Sequence, residues 1–418
     1  MTEAYIYDCV RTPRGKGRAD GSLHEVTAAR LSADLLNALQ RRNDLNGPVI
    51  EDVIWGNATQ VMEQGGCLAR TAVLASDLDE HIPGLSINRF CASGLDAVNL
   101  AANQRRQRLQ TLALELGFLD CKVARARRLD EESDRLEAWL TEGKHGEMSY
   151  MERYFEERLD PRRLLADCRS VVVLLHNYYQ PSDPISSDSD RSDQTRDPLA
   201  SIPKVAMYAQ GEDYHRVLKD KLRLLVQRMR EEFGEFSVRV FTDSAPILEK
   251  SWAALAGAGW MGKNTNLLQK KAGSYFFLAE ILCDLDFDYD HPVRDHCGEC
   301  NRCVEACPTG ALEPYRLDAS RCISYLTIEL KNQIPAAFEG QSEGWAFGCD
   351  ICQEVCPWNR FSVPHQEPRL DPLHPQQPTA GEWLSMNEEE FRNKYQNSPL
   401  ARTGLQNMQR NVRFVLGK

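Results

Sequence analysis

Cys297-Gly-Glu-Cys300-Asn-Arg-Cys303-Val-Glu-Ala-Cys307-Pro308 and, further along, Gly348-Cys349-Asp-Ile-Cys352-Gln-Glu-Val-Cys356-Pro357 decide how the C-terminal part of this chain folds. The first run has the spacing C-x2-C-x2-C-x3-C-P, and the second is a shortened version of it. Three thiolates on one tight loop can hold three irons of a cubane, while the cysteine before proline points away toward a second cluster. Two such runs facing each other imply two 4Fe–4S clusters. Two cubanes need eight thiolates and the runs supply seven. Cys322, in Arg321-Cys322-Ile323-Ser324-Tyr325, is the only cysteine between the runs and completes the count. The expected partition is Cys297, Cys300, Cys303 and Cys356 on one cluster, with Cys307, Cys322, Cys349 and Cys352 on the other.

Other uses of these cysteines fit less well. Zinc takes four ligands and has no use for two C-x3-C-P endings. Disulfides need an oxidising compartment, and nothing at the N-terminus reads as a signal peptide, so a reducing cytoplasm is expected. The chain has 418 residues, 42% of them hydrophobic, with no long apolar run. It reads as a soluble protein of several domains, without a membrane span and monomeric. A net charge of -11 argues against indiscriminate nucleic-acid binding, while leaving room for a local basic face. Arg158 with Arg162 and Arg163 is one candidate face; the stretch from Arg402 through Arg410 and Arg413 is another. Outside the cluster set, Cys9, Cys67, Cys91, Cys121, Cys168 and Cys283 read mostly as small buried hydrophobes.

The first hundred or so residues alternate strand and helix. Strands are expected over Glu3–Val10, Ile50–Gly56 and Leu85–Asn88. Helices are expected over Val26–Gln40, around Arg70–Ala75 and over Ser93–Asn103, which together predict an α/β layer. The stretches Asp8-Cys-Val-Arg-Thr-Pro-Arg-Gly, Trp55-Gly-Asn-Ala and Asn88-Arg-Phe-Cys91-Ala-Ser-Gly-Leu-Asp-Ala-Val resemble the opening of a thiolase. That resemblance makes Cys91 the counterpart of an acylated nucleophile, and a thiol at a helix N-terminus ionises more readily. The downstream Gly-His-Pro histidine, second Cys-x-Gly cysteine and Asn-Glu-Ala-Phe stretch of that family are missing from the sequence. Without base and second acid the acyl transfer cannot be completed. The expectation is a truncated, non-catalytic fragment.

From about Arg105 the style changes. Helices are expected over Arg105–Gly117 and Asp130–Thr141, then a buried strand over Ser170–Leu175 and a solvated Ser/Asp-rich loop over Ser182–Asp197. The segments Tyr208-Ala-Gln-Gly211-Glu-Asp213-Tyr214-His215, Thr242-Asp243-Ser-Ala-Pro246-Ile-Leu-Glu249 and Gly259-Trp260-Met-Gly262-Lys263-Asn264-Thr265 resemble epoxyqueuosine reductases. So do Gly273-Ser274-Tyr-Phe-Phe, the cysteine runs and Cys322-Ile-Ser324-Tyr325-Leu-Thr327. Met207 departs from the pattern, where a basic residue is expected.

What this resemblance implies is concrete. Electrons enter from an external donor of the flavodoxin or ferredoxin type through the two clusters and reduce cobalamin to cob(I)alamin. The epoxide of epoxyqueuosine at a tRNA wobble position is then reduced to queuosine, with Asp243 as proton donor. Such an acid is expected to be held protonated in an apolar site. Tyr208, Trp260, Lys263, Thr265, Ser274, Ser324 and Tyr325 are the expected cofactor contacts, with Trp260 as a wall of the corrin pocket. Capping of the following helix is the competing role for Asp243. The glycine run Gly257-Ala-Gly259-Trp-Met-Gly262-Lys263 imitates a phosphate loop, but Asn264 stands where Ser or Thr is needed. The alternatives in function are a dehalogenase-like corrinoid reductase and an electron-transfer or corrinoid-reactivation protein.

The expected fold class is α/β and α+β, multidomain. Its parts are a truncated thiolase-like α/β fragment over 1–104, an α/β cobalamin-binding domain over 105–290, a bacterial-ferredoxin-like two-cluster domain over 291–365, and a short α-helical region over 366–418 that contacts tRNA.

Overall fold

The computed structural model describes residues 7–16, 18–45, 50–181 and 197–417, with side chains left out for 102–104. Most of the Ser182–Asp197 loop and the first half of the expected Glu3–Val10 strand lie outside the described residues. The chain divides into two compact units, 1–108 and 109–418. Among the described residues no helix is long and apolar enough to cross a membrane.

In the first unit, α1 (Ala28–Asn43) starts at Thr27, whose side chain accepts the N–H of Arg30. β1 (Val53–Gly56), α2 (Leu68–Leu74) and β2 (Gly84–Ile87) follow. β1 and β2 pair in parallel with Val53 opposite Gly84, as a βαβ unit requires. The expected strand over Glu3–Val10 does not form in its described part, because Tyr7–Val10 has no ladder partner there. The core is small: Leu36, Val53, Ala69, Ala72, Val73, Leu78 and Ile82. Phe90, Leu95 and Val98 stay exposed.

The helices expected separately over Ser93–Asn103 and Arg105–Gly117 form one element, α3 (Ser93–Glu115). No proline or glycine separates them, so nothing breaks the backbone ladder. The boundary between the two units falls inside this helix.

The second unit is built on a four-stranded antiparallel sheet of β3 (Asp120–Arg125), β4 (Ser170–Asn177), β5 (Val238–Phe241) and β6 (Phe276–Cys283), in the order β3-β4-β6-β5. β4 is apolar at nearly every position because both its faces are covered. Val172 and Leu174 pack with Leu109 and Leu112 of α3 and with α5 (Tyr214–Phe233). Val171, Val173 and Leu175 face the other way, against Trp252 and Ala253 of α6 (Glu249–Leu255). Between β3 and β4 lies α4 (Asp130–Thr141), its first turn acidic as the helix dipole favours.

Each cysteine run opens a short helical turn, Arg302–Glu305 and Ile351–Glu354. The tail forms α7 (Ala380–Ser385), α8 (Glu388–Tyr395) and α9 (Leu405–Val415), the first two started by capping boxes at Thr379 and Asn387. Trp383, Phe391 and Tyr395 are buried with Met408, Val412, Val205 and Phe347. These aromatics hold the tail onto the unit and are not available to stack on RNA bases.

Candidate active site and cluster cavities

Cys297, Cys300, Cys303 and Cys356 line one cavity of about 210 Å³, together with His296, Trp358 and Arg360. Cys307, Cys322, Cys349 and Cys352 line a second, of about 280 Å³. Each cysteine before proline crosses to the set formed by the other run. Among the described residues no three His, Cys, Asp or Glu side chains converge on a point where a single metal ion could sit. Four thiols spread around a cavity suit a cluster several ångströms across instead. Asn264 lines both cavities, and its side-chain amide donates to the Cys352 carbonyl at 3.2 Å.

A third cavity, of about 330 Å³, shares Tyr208, Lys250, Asn266 and Gln353 with the second. Its other walls include Tyr178, Tyr214, Asp243, Glu249, Ser274 and Phe277. Tyr214 stacks on Phe277 with ring centroids 4.2 Å apart. Asp213 starts α5 by accepting the N–H of His215 at 3.1 Å, and so fixes the turn that presents Tyr214. The Tyr214 hydroxyl donates to Oδ2 of Asp243, and Nε2 of His215 lies 3.7 Å from the same oxygen. Arg402 reaches in from the tail: it sits 5.9 Å over the Tyr214 ring, with Nη2 3.5 Å from Oδ1 of Asp213.

The Asp243 site rules out the competing role and departs from the expectation in one respect. Capping is not its role: the N-cap of α6 is Leu248, without a side-chain bond. An apolar enclosure is absent too, since the side chain is 61% exposed and its neighbours are a phenol and an imidazole. The residue takes φ = 51°, a left-handed turn that side chains rarely adopt. The loop is held there by the Asp243 N–H, which donates to Oε1 of Glu249.

The expected cofactor contacts divide. Tyr208 and Ser274 line the Asp243 cavity; Thr265 and Ser324 line the second cysteine cavity. Ser274 is also a structural tie, its hydroxyl 3.2 Å from Oδ1 of Asn359 and 3.0 Å from the Gln353 amide. Trp260 is not a wall of the Asp243 cavity. It is buried with its ring 5.0 Å from His296 and 5.1 Å from Trp358, beside the first cysteine set. Lys263 likewise turns to that set, donating to the Gly298 carbonyl at 2.7 Å and to Asn301 at 3.0 Å. Its ammonium pins the first cysteine loop. Tyr325 is buried among Leu326 and Leu330, its hydroxyl accepting the Glu147 N–H at 2.6 Å. Adjacency to Cys322 in sequence does not carry it to the cavity, because the helical turn over Tyr325–Glu329 rotates it away.

The candidate basic faces are largely engaged. Arg158 is buried and donates to the Tyr150 carbonyl at 2.7 Å, and Arg162 pairs with Asp160 at 2.7 Å. Arg410 donates to the carbonyls of Leu330 and Asn332, while Arg413 is exposed. Of the remaining cysteines, Cys121, Cys168 and Cys283 are buried as expected, whereas Cys9 and Cys91 are exposed.

Sequence reading missed Glu249 and Glu280. The signal for the second was present: one carboxylate inside the otherwise apolar strand Phe276–Cys283.

Residues 296–359, which contain all eight cysteines, match the family described as "4Fe-4S double cluster binding domain". Residues 158–244 match "Epoxyqueuosine reductase QueG, DUF1730", and residues 4–117 match "Thiolase, N-terminal domain". An epoxyqueuosine reductase of Cellulophaga algicola is 48% identical over 306 residues, covering 72% of this chain and 95% of the relative. One of Pseudomonas aeruginosa is 40% identical, covering 74% and 84%. A solved epoxyqueuosine reductase, described with an epoxyqueuosine-modified tRNA-Tyr stem loop, superposes with a TM-score of 0.68 at 30% identity, covering 75% of this chain and 81% of that one. Another, from Bacillus subtilis, has a TM-score of 0.67 at 29% identity over 75% of this chain and 81% of its own, and is described with a catalytic aspartate loop swung out of its active site.

Proposed function

We infer what this chain does from what it is: through its second unit it belongs to the epoxyqueuosine reductase family, and it is an oxidoreductase. The reaction we assign is reduction of epoxyqueuosine, carried at the wobble position of a tRNA, to queuosine. One observation carries the assignment: the three cavities are joined in order by shared residues, and the last of them holds a carboxyl on a strained loop. The relative solved with a modified stem loop, and the one described with a catalytic aspartate loop, support the same reading.

The lining of the third cavity supports cobalamin as the cofactor. Flat aromatic faces of Tyr178, Tyr208, Tyr214 and Phe277 line it, with polar edges at Ser274, Lys250 and Asn266. When bound, it supplies the low-potential reducing chemistry that no side chain can perform. The chain's own residues do the rest. Two four-thiol sets lead to the cavity from the side of His296 and Trp358, where an external donor of the flavodoxin or ferredoxin type delivers electrons. Tyr208, Thr265, Ser274 and Ser324 would contact the cofactor or line its approach. The Tyr214 hydroxyl, by donating to Oδ2, leaves Oδ1 of Asp243 as the atom that carries a proton to the departing epoxide oxygen. Arg402 and Arg413 offer cationic contacts for the RNA backbone.

The test is an anaerobic incubation of the full chain with cobalamin, a reductant and epoxyqueuosine-containing tRNA, read by mass spectrometry of the digested nucleosides. Queuosine is the expected product. Unchanged epoxyqueuosine, with both clusters and cobalamin shown to be loaded, would refute the assignment.

A further inference from the structure

Removing an epoxide oxygen as water breaks two C–O bonds, makes one C=C bond, and consumes two electrons and two protons. One carboxyl at the reacting oxygen supplies one proton at a time. We propose that Glu249 and Glu280 form a carboxyl–carboxylate pair that stores a proton beneath the Asp243 loop and delivers it to the cavity through Glu249, supplying the second proton of the reaction assigned above, on which this inference rests.

The geometry begins with strand alternation. In β6 the even-numbered residues Phe276, Leu278 and Leu282 face α6, and Glu280 occupies the one remaining place on that face. Its ladder neighbours are Val173 of β4 and Phe241 of β5, neither of which can pair a charge. Glu280 is fully buried, and among the described residues neither of its oxygens meets a hydrogen-bond donor. The group it faces is the carboxyl of Glu249, the first residue of α6. Two carboxylates in contact repel; one shared proton turns the same contact into a hydrogen bond.

Three other features aim this pair at the reaction. Glu249 lines the same cavity as Asp243. Its Oε1 already accepts the Asp243 N–H, so the pair and the catalytic loop are mechanically joined. The charged groups that bear on the pair are Asp243 and Lys250, the latter next to Glu249 on α6. Burial pushes both glutamates above the usual carboxylate range, and the Asp243 charge adds to it; Glu249 raises Glu280 further, while the contact with Glu280 draws Glu249 partly back down. In the step itself the O–H bond of Glu249 breaks and an O–H bond forms on the leaving oxygen. Asp243 provides the other proton, and the two electrons come from the external donor through the clusters. The charge left on the pair is met by the Asp243 N–H and Lys250 until solvent reloads it through the cavity.

Infrared spectroscopy of the full-length, cluster- and cobalamin-loaded protein tests the store directly, and single-turnover kinetics test the delivery. At neutral pH the native protein should show the C=O stretch of a protonated carboxyl that fades on alkaline titration and is lost in Glu280→Gln and Glu249→Gln. Its rate of queuosine formation should fall along the same titration. Glu249→Gln should be slower by about 10²-fold or more, within the usual range for a missing acid, with Glu249→Asp recovering part of the loss and tRNA affinity unchanged. Absence of that band in the native protein, or a native rate and pH profile in Glu249→Gln, would overturn the proposal. If the native protein forms no queuosine at all, the assigned reaction fails, and a band present in it would still establish the stored proton.

Discussion

At the scale of single residues, the decisive side chains are held by neighbours that chain position alone does not reveal. Asp243 sits on a left-handed turn and meets Tyr214 and His215, which come from the start of α5. Asp243→Asn keeps the shape and removes the transferable proton. Its turnover should drop by about 10²–10⁴-fold with cobalamin and tRNA binding retained, as single-turnover assays and binding titrations would show. His176 presents a second residue-scale consequence. It is buried on β4 with neither ring nitrogen partnered among the described residues, and burial pushes its imidazole down to about 4. Lys221 and His365 lower it further, while Glu367 opposes them. The unfolded chain therefore takes up this proton first. Stability is intact above the ordinary histidine range and is lost as pH falls from about 6.5 toward 4, by at most about 3 kcal/mol. His176→Leu should flatten that part of the urea-midpoint-versus-pH curve; an unchanged slope would show that His176 is not the group responsible.

At the scale of elements, the turn after α6 shows why a motif can be recognisable yet misread. The glycines at 257, 259 and 262 look like a ligand loop, but they are required by close approach to other parts of the same chain. Gly257 has φ = 73°, and a Cβ there would lie 2.1 Å from the His291 carbonyl. The close approach seats Trp260 and Lys263 beside the first cysteine set. Gly257→Ala combines backbone strain with a clash against main chain, and should cost about 1–3 kcal/mol in the urea midpoint. The cluster-linked visible absorbance should weaken with it. β6 teaches the converse lesson. Its apolar run was readable as a strand buried on both faces, and Glu280 was readable as an exception, but which partner it meets depends on where α6 packs.

At the scale of the whole molecule, the two units rest on unequal cores. The first buries few large side chains and exposes Phe90, Leu95 and Val98, whereas the second encloses a sheet on both faces. Leu109, Leu112 and Ala113 already belong to the second core, so a cut before Arg105 spares it. Deleting residues 1–104 should raise soluble yield and leave queuosine formation within about twofold, since every residue of the second unit's two sheet-side cores is retained. A soluble truncated protein without activity would show that the first unit contributes to function. The sequence by itself determined the two cysteine sets, the change of style near Arg105 and the βαβ pairing of the first unit. Thiolate spacing and residue alternation are local rules that survive without a fold. Only the tertiary structure decided that Trp260 and Lys263 serve the first cluster cavity, that Trp383 and Tyr395 are core, and that Glu249 and Glu280 meet beneath Asp243. Those facts depend on which surfaces of distant segments are buried together, and burial is a property of the assembled chain that no short stretch of residues contains.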